Sequence, residues 1–162
     1  MRALVIGAGG KIGSALCRAL IDAGHEVIGT TRKEVDLTEL QSDLYNQFDR
    51  PEVVYLCAAA TRFIDCEDGR DAYLVNVDAP IAIARQFKRH GVKMVYLSSE
   101  AVERALHTNY GMHKALAEMG LQGVGSPTIA RLSKVDPETM PDACGFLVRL
   151  ANAAPGTYRW HA

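Results

Sequence analysis

No apolar run in this sequence reaches the roughly 18 residues that a bilayer-spanning helix needs, and the opening Met1-Arg-Ala-Leu-Val-Ile-Gly7 is too short for a secretory leader. A soluble protein without a membrane partner is expected. Net charge is almost absent as well. The 18 basic and 19 acidic residues leave −1 and are interspersed, so no sustained positive field is available for a nucleic acid backbone. Cys17, Cys57, Cys66 and Cys144 form no C-x-x-C pair and sit mostly in apolar surroundings, which suits a reducing compartment and predicts a cytoplasmic location. His25, His90, His107, His113 and His161 have no carboxylate or cysteine at ligand spacing, so no metal site is expected. Internal repeats and low-complexity segments are also missing. What is left, over 162 residues, is enough for one domain. A domain of that size buries about 68–70% of its unfolded surface.

Short apolar runs alternate with helical spacing through most of the chain. Ala3-Leu-Val-Ile6, Glu26 to Thr30, Val53-Val-Tyr-Leu56, Val92 to Leu97 and Thr128 to Leu132 read as strands, the first and third buried on both faces. Between them, Ile12, Leu16, Ala19 and Leu20 recur at helical spacing, and a long helix is predicted from about Asp71 to His90, kinked or restarted at Pro80. Further helices are predicted over Tyr110 to Leu121 and Cys144 to Ala153, with an irregular connection from Val135 to Asp142. The alternation specifies an α/β chain: a Rossmann-type, doubly wound parallel sheet in a single compact domain.

Gly7-Ala-Gly-Gly-Lys-Ile-Gly13 lies between the first strand and the first helix. There Gly7 permits a tight turn, Gly10 lets backbone approach a pyrophosphate, and Gly13 lets helix and strand pack closely, with Lys11 and Ile12 at the helix start. Unpaired amides at that helix start favour an anion. The second strand ends in Thr30-Thr31-Arg32 where a carboxylate would select an unphosphorylated ribose. A guanidinium can fork onto a phosphate, so NADP(H) is preferred over NAD(H), unless Arg32 is merely solvated beside Lys33. Downstream, Tyr110 and Lys114 share one helix face, and a neighbouring ammonium would lower the phenol towards neutral pH, making Tyr110 a general acid or base. Ser99 closes a strand at the end where open parallel sheets place ligands. Taken alone, the trio also fits a helix-packing Tyr and Lys with a strand-end serine.

With these motifs in order, residues 1 to 135 resemble the extended short-chain dehydrogenase/reductases, and among them the dTDP-4-dehydrorhamnose reductase-like nucleotide-sugar enzymes. The matching segments are the glycine motif, Val35-Asp-Leu-Thr38, Leu56-Cys-Ala-Ala-Ala60, Val75-Asn-Val-Asp-Ala-Pro80, Val95-Tyr-Leu-Ser-Ser99 and Tyr110-x-x-x-Lys114. By that resemblance Asp36 and Leu37 flank the adenine, Ala58, Ala59 and Ala60 run close to the nicotinamide ribose, and Asn76 braces the central helix. Lys114 then also grips ribose hydroxyls, and Ser99, three residues before Val102, is preferred to Ser98 as the active serine. Without it, Asp36 reads as a cap for a helix from Leu37 to Leu44 and Asn76 as an ordinary helix residue.

The resemblance implies a keto-group reductase acting on a nucleotide sugar or smaller carbonyl compound, with a nucleotide-sugar epimerase as the nearest alternative. It also implies a homodimer, paired through the helices that precede and contain Tyr110-x-x-x-Lys114. Ala101 stands where dehydratases of the family carry a second acidic residue, which disfavours a dehydratase. Ser99 and Tyr110 are close together in the sequence, and residues 136–162 read as an abbreviated remnant of the family's substrate lobe. A weakly catalytic NADP(H)-binding sensor or scaffold is therefore the rival from another class, and an open substrate side is expected.

Overall fold

The computed structural model describes residues 1–67, 69–125, 127–133 and 141–161. In chain order its elements are β1 (Arg2–Ile6), α1 (Lys11–Asp22), β2 (Glu26–Thr30), α2 (Leu44–Gln47) and β3 (Val53–Leu56). Then come α3 (Phe63–Glu67), α4 (Arg70–Tyr73), a π-helical turn (Leu74–Asp78), α5 (Ala79–Lys88) and β4 (Lys93–Ser99). The last are α6 (Ala101–Arg104), α7 (Asn109–Val124), β5 (Thr128–Leu132), α8 (Pro141–Leu150) and β6 (Gly156–Trp160). The strands form one sheet in the order β2-β1-β3-β4-β5-β6. Every pairing is parallel. This is the doubly wound sheet expected from the alternation of runs.

The apolar runs work because each strand is covered on both sides. Leu4, Ile6, Val54, Leu56, Tyr96 and Ile129 face Ile83 and Phe87 of α5 and Ala117 and Leu121 of α7. Ala3, Val5, Val53, Tyr55, Val95 and Ala130 face Leu16 and Leu20 of α1 and Leu147 and Leu150 of α8. Alternate residues along a strand point to opposite faces, so a run that is apolar throughout serves both layers. At the edge of the sheet, Tyr158 and Trp160 of β6 pack against the α1–α8 layer.

Several boundaries differ from the sequence expectation, each for a local reason. No helix spans residues 37–44: the chain turns there, and only α2 forms, capped by Asp43, which accepts from the Asn46 N–H. The long helix expected from Asp71 is in three parts, with Pro80 in the first turn of α5, where its missing N–H is tolerated. Just before it, the Ala79 N–H donates to the Leu74 carbonyl, five residues back, closing the wider turn. α7 begins at Asn109, where Thr108 caps it by accepting from the Gly111 N–H at 3.1 Å, and runs on past Leu121 to Val124. α8 begins at Pro141, so Asp142 is helical rather than part of a connection, and residues 135–140 of that expected connection lie outside the described residues. Both serines of Ser98-Ser99 belong to β4.

Candidate active site

β1 lies between β2 and β3, so successive connections leave it in opposite directions and open a crevice at the carboxyl ends of β1 and β3. The glycine motif leaves β1 there, and Cys57 to Ala60 leave β3. Gly7 has φ +95° and comes so close to the other strand end that a Cβ would sit 2.6 Å from the Ala58 nitrogen. A Cβ on Gly13 would run into the Gly7 carbonyl oxygen. Both positions require glycine for the α1 start to sit against the strand ends. Gly10 is the N-cap of α1 and offers no side chain to the first-turn amides, and Gly9, Gly10 and Lys11 are exposed. Those amides are free to meet an anion. Ile12 turns inward against the α1–α8 layer.

A cavity of about 280 Å³ opens beside this turn. It is walled by Gly7, Thr31, Arg32, Asp36, Leu37 and Ala58 to Ala60, residues expected for a dinucleotide. Ile6, Val35, Asp65 and Val75 complete it and were not foreseen. Arg32 Nε donates to Asp36 Oδ2 at 3.0 Å, and its side chain is 76% exposed, leaving the rest of the guanidinium towards solvent. Asp36 accepts from the Thr38 hydroxyl at 2.7 Å and the Thr38 N–H at 2.9 Å. These bonds, with Arg32 beside them, hold its carboxyl down at about 2. Asp36 therefore caps a turn rather than a helix. A second cavity of about 250 Å³, lined by Ala84, Met94, Leu121 and Val124, lies at the amino ends of β4 and β5, away from this crevice.

Asn76 is buried in the π-helical turn and reaches Ala60. Its amide donates to the Ala60 carbonyl at 2.8 Å and its oxygen accepts from the Ala60 N–H at 2.9 Å. One side chain thus does for Ala60 what a neighbouring strand would do, past the end of β3.

Ser99, Tyr110 and Lys114 meet at the carboxyl end of β4. The Ser99 hydroxyl accepts from the Ala101 N–H at 3.1 Å. Burial pushes the Tyr110 phenol up, the adjoining Ser99 hydroxyl pulls it part of the way back, and Cys66 adds to the rise. The lowering expected from Lys114 is not found. Instead Lys114 is itself the perturbed group: it is buried, and loss of hydration lowers it to about 8 against the opposing effect of Glu118, Cys57 and Cys66. Its ammonium donates to the Leu97 carbonyl at 2.8 Å and lies 4.6 Å from the Tyr96 ring centroid and 5.9 Å from that of Tyr110. A buried phenol that keeps its proton beside a serine hydroxyl and an ammonium can hydrogen-bond a carbonyl oxygen and protonate it as negative charge develops.

The carboxyl ends of β5 and β6 are braced by ion pairs that the sequence did not disclose. Glu103 of α6 pairs with Arg131 of β5 and Arg159 of β6. Glu100 pairs with Arg104 at 3.4 Å, and its Oε1 lies 2.5 Å from His161 Nδ1. Behind them Glu118 accepts from Ser98 Oγ at 2.5 Å and from Arg131 Nη2 at 2.6 Å. A charged residue at position 118, on the same helical face as Lys114, Ala117 and Leu121, was the one available signal.

The family model for the RmlD substrate binding domain matches residues 1–113. The chain belongs to this family. Among its relatives, the spore coat polysaccharide biosynthesis protein SpsK of Bacillus subtilis (strain 168) is 36% identical over 104 residues, 62% of this chain and 36% of that protein. The dTDP-4-dehydrorhamnose reductase of Aggregatibacter actinomycetemcomitans is 31% identical over 105 residues, 62% of this chain and 35% of the enzyme. The matched part thus spans little more than a third of these relatives' own length. A solved structure of dTDP-4-dehydrorhamnose reductase from Bacillus anthracis str. Ames, in complex with NADP, superposes with a TM-score of 0.86 at 23% identity, over 98% of this chain and 74% of that one. The described residues of this RmlD-family chain therefore share the fold of the part of that enzyme they cover. No helix among its described residues is long and apolar enough to cross a membrane.

Proposed function

We propose that this chain binds NADPH and reduces a keto group, of a nucleotide sugar or a smaller carbonyl compound, by short-chain dehydrogenase/reductase chemistry. The observation that carries this is the meeting of Ser99, Tyr110 and Lys114 at the end of β4, the strand next to β3 at the crevice. Relatives named dTDP-4-dehydrorhamnose reductase, and the solved one in complex with NADP, support the substrate class and the cofactor.

The residues present fit such a dinucleotide. Gly7, Gly10 and the uncapped α1 start, with Lys11, Ile12 and Gly13, would hold its diphosphate. Thr31 and the outward part of Arg32 would take a 2′-phosphate, Asp36 and Leu37 would flank the adenine, and Ala58 to Ala60, kept in place by Asn76, would lie along the remaining chain. NADP(H) is preferred over NAD(H) because Arg32 stands where a carboxylate would otherwise exclude the phosphate. When bound, the reduced nicotinamide supplies a hydride. Tyr110 delivers a proton to the carbonyl oxygen, Ser99 donates a hydrogen bond to the same oxygen, and Lys114 stabilises the negative charge developing there and grips ribose hydroxyls.

Met112 and Met119 of α7 are 47% and 66% exposed and Tyr73 is 40% exposed, which supports a homodimer contact across α4, α5 and α7. An NADP(H)-binding sensor or scaffold is the second reading, supported by the short cover of the substrate side, where only α6 lies between Ser99 and Tyr110. Of residues 136–162, α8 and β6 extend the same parallel sheet and its covering layer. A screen of keto-sugar nucleotides and simple carbonyls for NADPH oxidation tests the proposal. Turnover establishes the reductase, interconversion of epimeric sugars without net oxidation would indicate an epimerase, and tight NADPH binding with no turnover would favour the sensor.

A further inference from the structure

Glu118 belongs to neither the cavity nor the trio, yet its carboxylate is buried at 3% exposure. Four hydrogen bonds fix it: Ser98 Oγ donates to Oε1 at 2.5 Å, Arg131 Nε donates to Oε1 at 3.0 Å and to Oε2 at 3.2 Å, and Arg131 Nη2 donates to Oε2 at 2.6 Å. So it joins β4, at the residue before Ser99, to α7, one turn beyond Lys114, and to β5. A carboxylate this deep is costly unless paired, and Arg131 pairs it. Lys114 has no such direct partner. The groups around its ammonium are the Leu97 carbonyl and Tyr96 of β4, Tyr110 and Glu118 of α7, Cys57 after β3 and Cys66 of α3. Glu118 is the one carboxylate in that set.

We propose that Glu118 is a positioning residue of the reaction centre: through Ser98 it sets where Ser99 stands relative to α7, and it supplies the countercharge that the buried Lys114 ammonium otherwise lacks. This rests on the reductase reading for its catalytic consequence, but its electrostatic half concerns the free chain. The Arg131 guanidinium shares the carboxylate, so the field at Lys114 is weaker than that of a direct ion pair. Glu118→Gln keeps the shape and an acceptor oxygen while removing the charge.

The decisive measurement is the Lys114 titration, followed by NMR on protein carrying 13C-labelled lysine, in wild type and Glu118→Gln. A direct ion pair shifts a titration by about one to three units, so a downward displacement of roughly half a unit or more is expected here. A packing role alone would lower stability and leave that titration in place, and an unmoved titration overturns the electrostatic half. Ser98→Ala, which keeps the Glu118 charge, tests the positioning half and also serves if Glu118→Gln does not fold. It should leave the Lys114 titration unchanged and lower kcat several-fold without changing NADPH affinity. Wild-type kcat in Ser98→Ala overturns the positioning half. If the wild type reduces no carbonyl at all, the reductase reading fails. The outcome for Glu118 is then read from the lysine titration and from the Ser99 side-chain resonances, which Ser98→Ala should displace and which overturn positioning if they stay fixed.

Discussion

Lys114 stands closer to the ring of Tyr96, 4.6 Å from its centroid, than to that of Tyr110, at 5.9 Å. Its ammonium is held by an aromatic face and the Leu97 carbonyl rather than by an ion pair, so the cost of burial is only partly offset and the proton leaves more easily. Two pH effects follow from that placement.

The free-enzyme profile, kcat/KM for carbonyl reduction, should fall above about pH 8 as Lys114 loses its charge, while the raised Tyr110 phenol keeps its proton. Steady-state rates between pH 6 and 10 check this, and a profile flat through pH 9 would remove Lys114 charge from the chemistry. Stability should move the other way. A lysine whose folded value lies below its unfolded one binds fewer protons when folded, so its contribution is fully present above the ordinary lysine value of 10.5 and is lost as pH falls through about 8. Urea unfolding of wild type relative to Lys114→Met should therefore show wild type gaining stability from about pH 8 to 10.5.

Tyr110→Phe should keep its packing and NADPH affinity while losing the transferable proton. A general acid contributes about 100- to 10,000-fold, and kcat should fall within that range. Equal turnover in the two proteins would take Tyr110 out of the mechanism.

Arg32→Ala should weaken NADPH binding about tenfold or more, the effect of one charge-assisted hydrogen bond, and leave NADH binding nearly unchanged. Calorimetry with both dinucleotides measures it. A parallel loss for NADH would mean that Arg32 acts by holding Asp36 and not by meeting a phosphate.

Asn76→Ala should destabilise the chain by about 1–3 kcal/mol, because the Ala60 N–H loses its partner and the Ala60 carbonyl keeps only the Cys66 thiol. Thermal unfolding would report it. NADPH affinity should also drop, since Ala60 lines the cavity. A variant with unchanged stability would show that another group takes over at Ala60.

Features written locally in the chain were legible before the structure. The glycine turn and the shared helix face of Tyr110 and Lys114 each follow from spacing within a dozen residues, while Ala58 to Ala60 were marked by the family resemblance. Val75 and Asp65 reach the cavity only because the central helix and α3 fold over it, which no short-range pattern states. The ion pairs of Glu103 and Glu118 join elements 13 to 56 residues apart, so their partners are fixed by sheet order and register. Arg131 and Arg159 share a side because they are register partners in β5 and β6. The expected helix over residues 37–44 fails to form for another reason: Asp36 and Thr38 satisfy each other locally, and that competes with helix initiation.

The π-helical turn over Leu74–Asp78 makes the central helix intolerant of length change in one place. Each residue advances a helix by about 100°, so dropping one residue there would rotate everything after it against everything before it. Either Asn76 would swing off Ala60, or Ile83 and Phe87 would swing off the sheet. Exposed turns tolerate changes of length better. Between Leu74 and Asp78 a single-codon deletion should be as damaging as the loss of a core side chain.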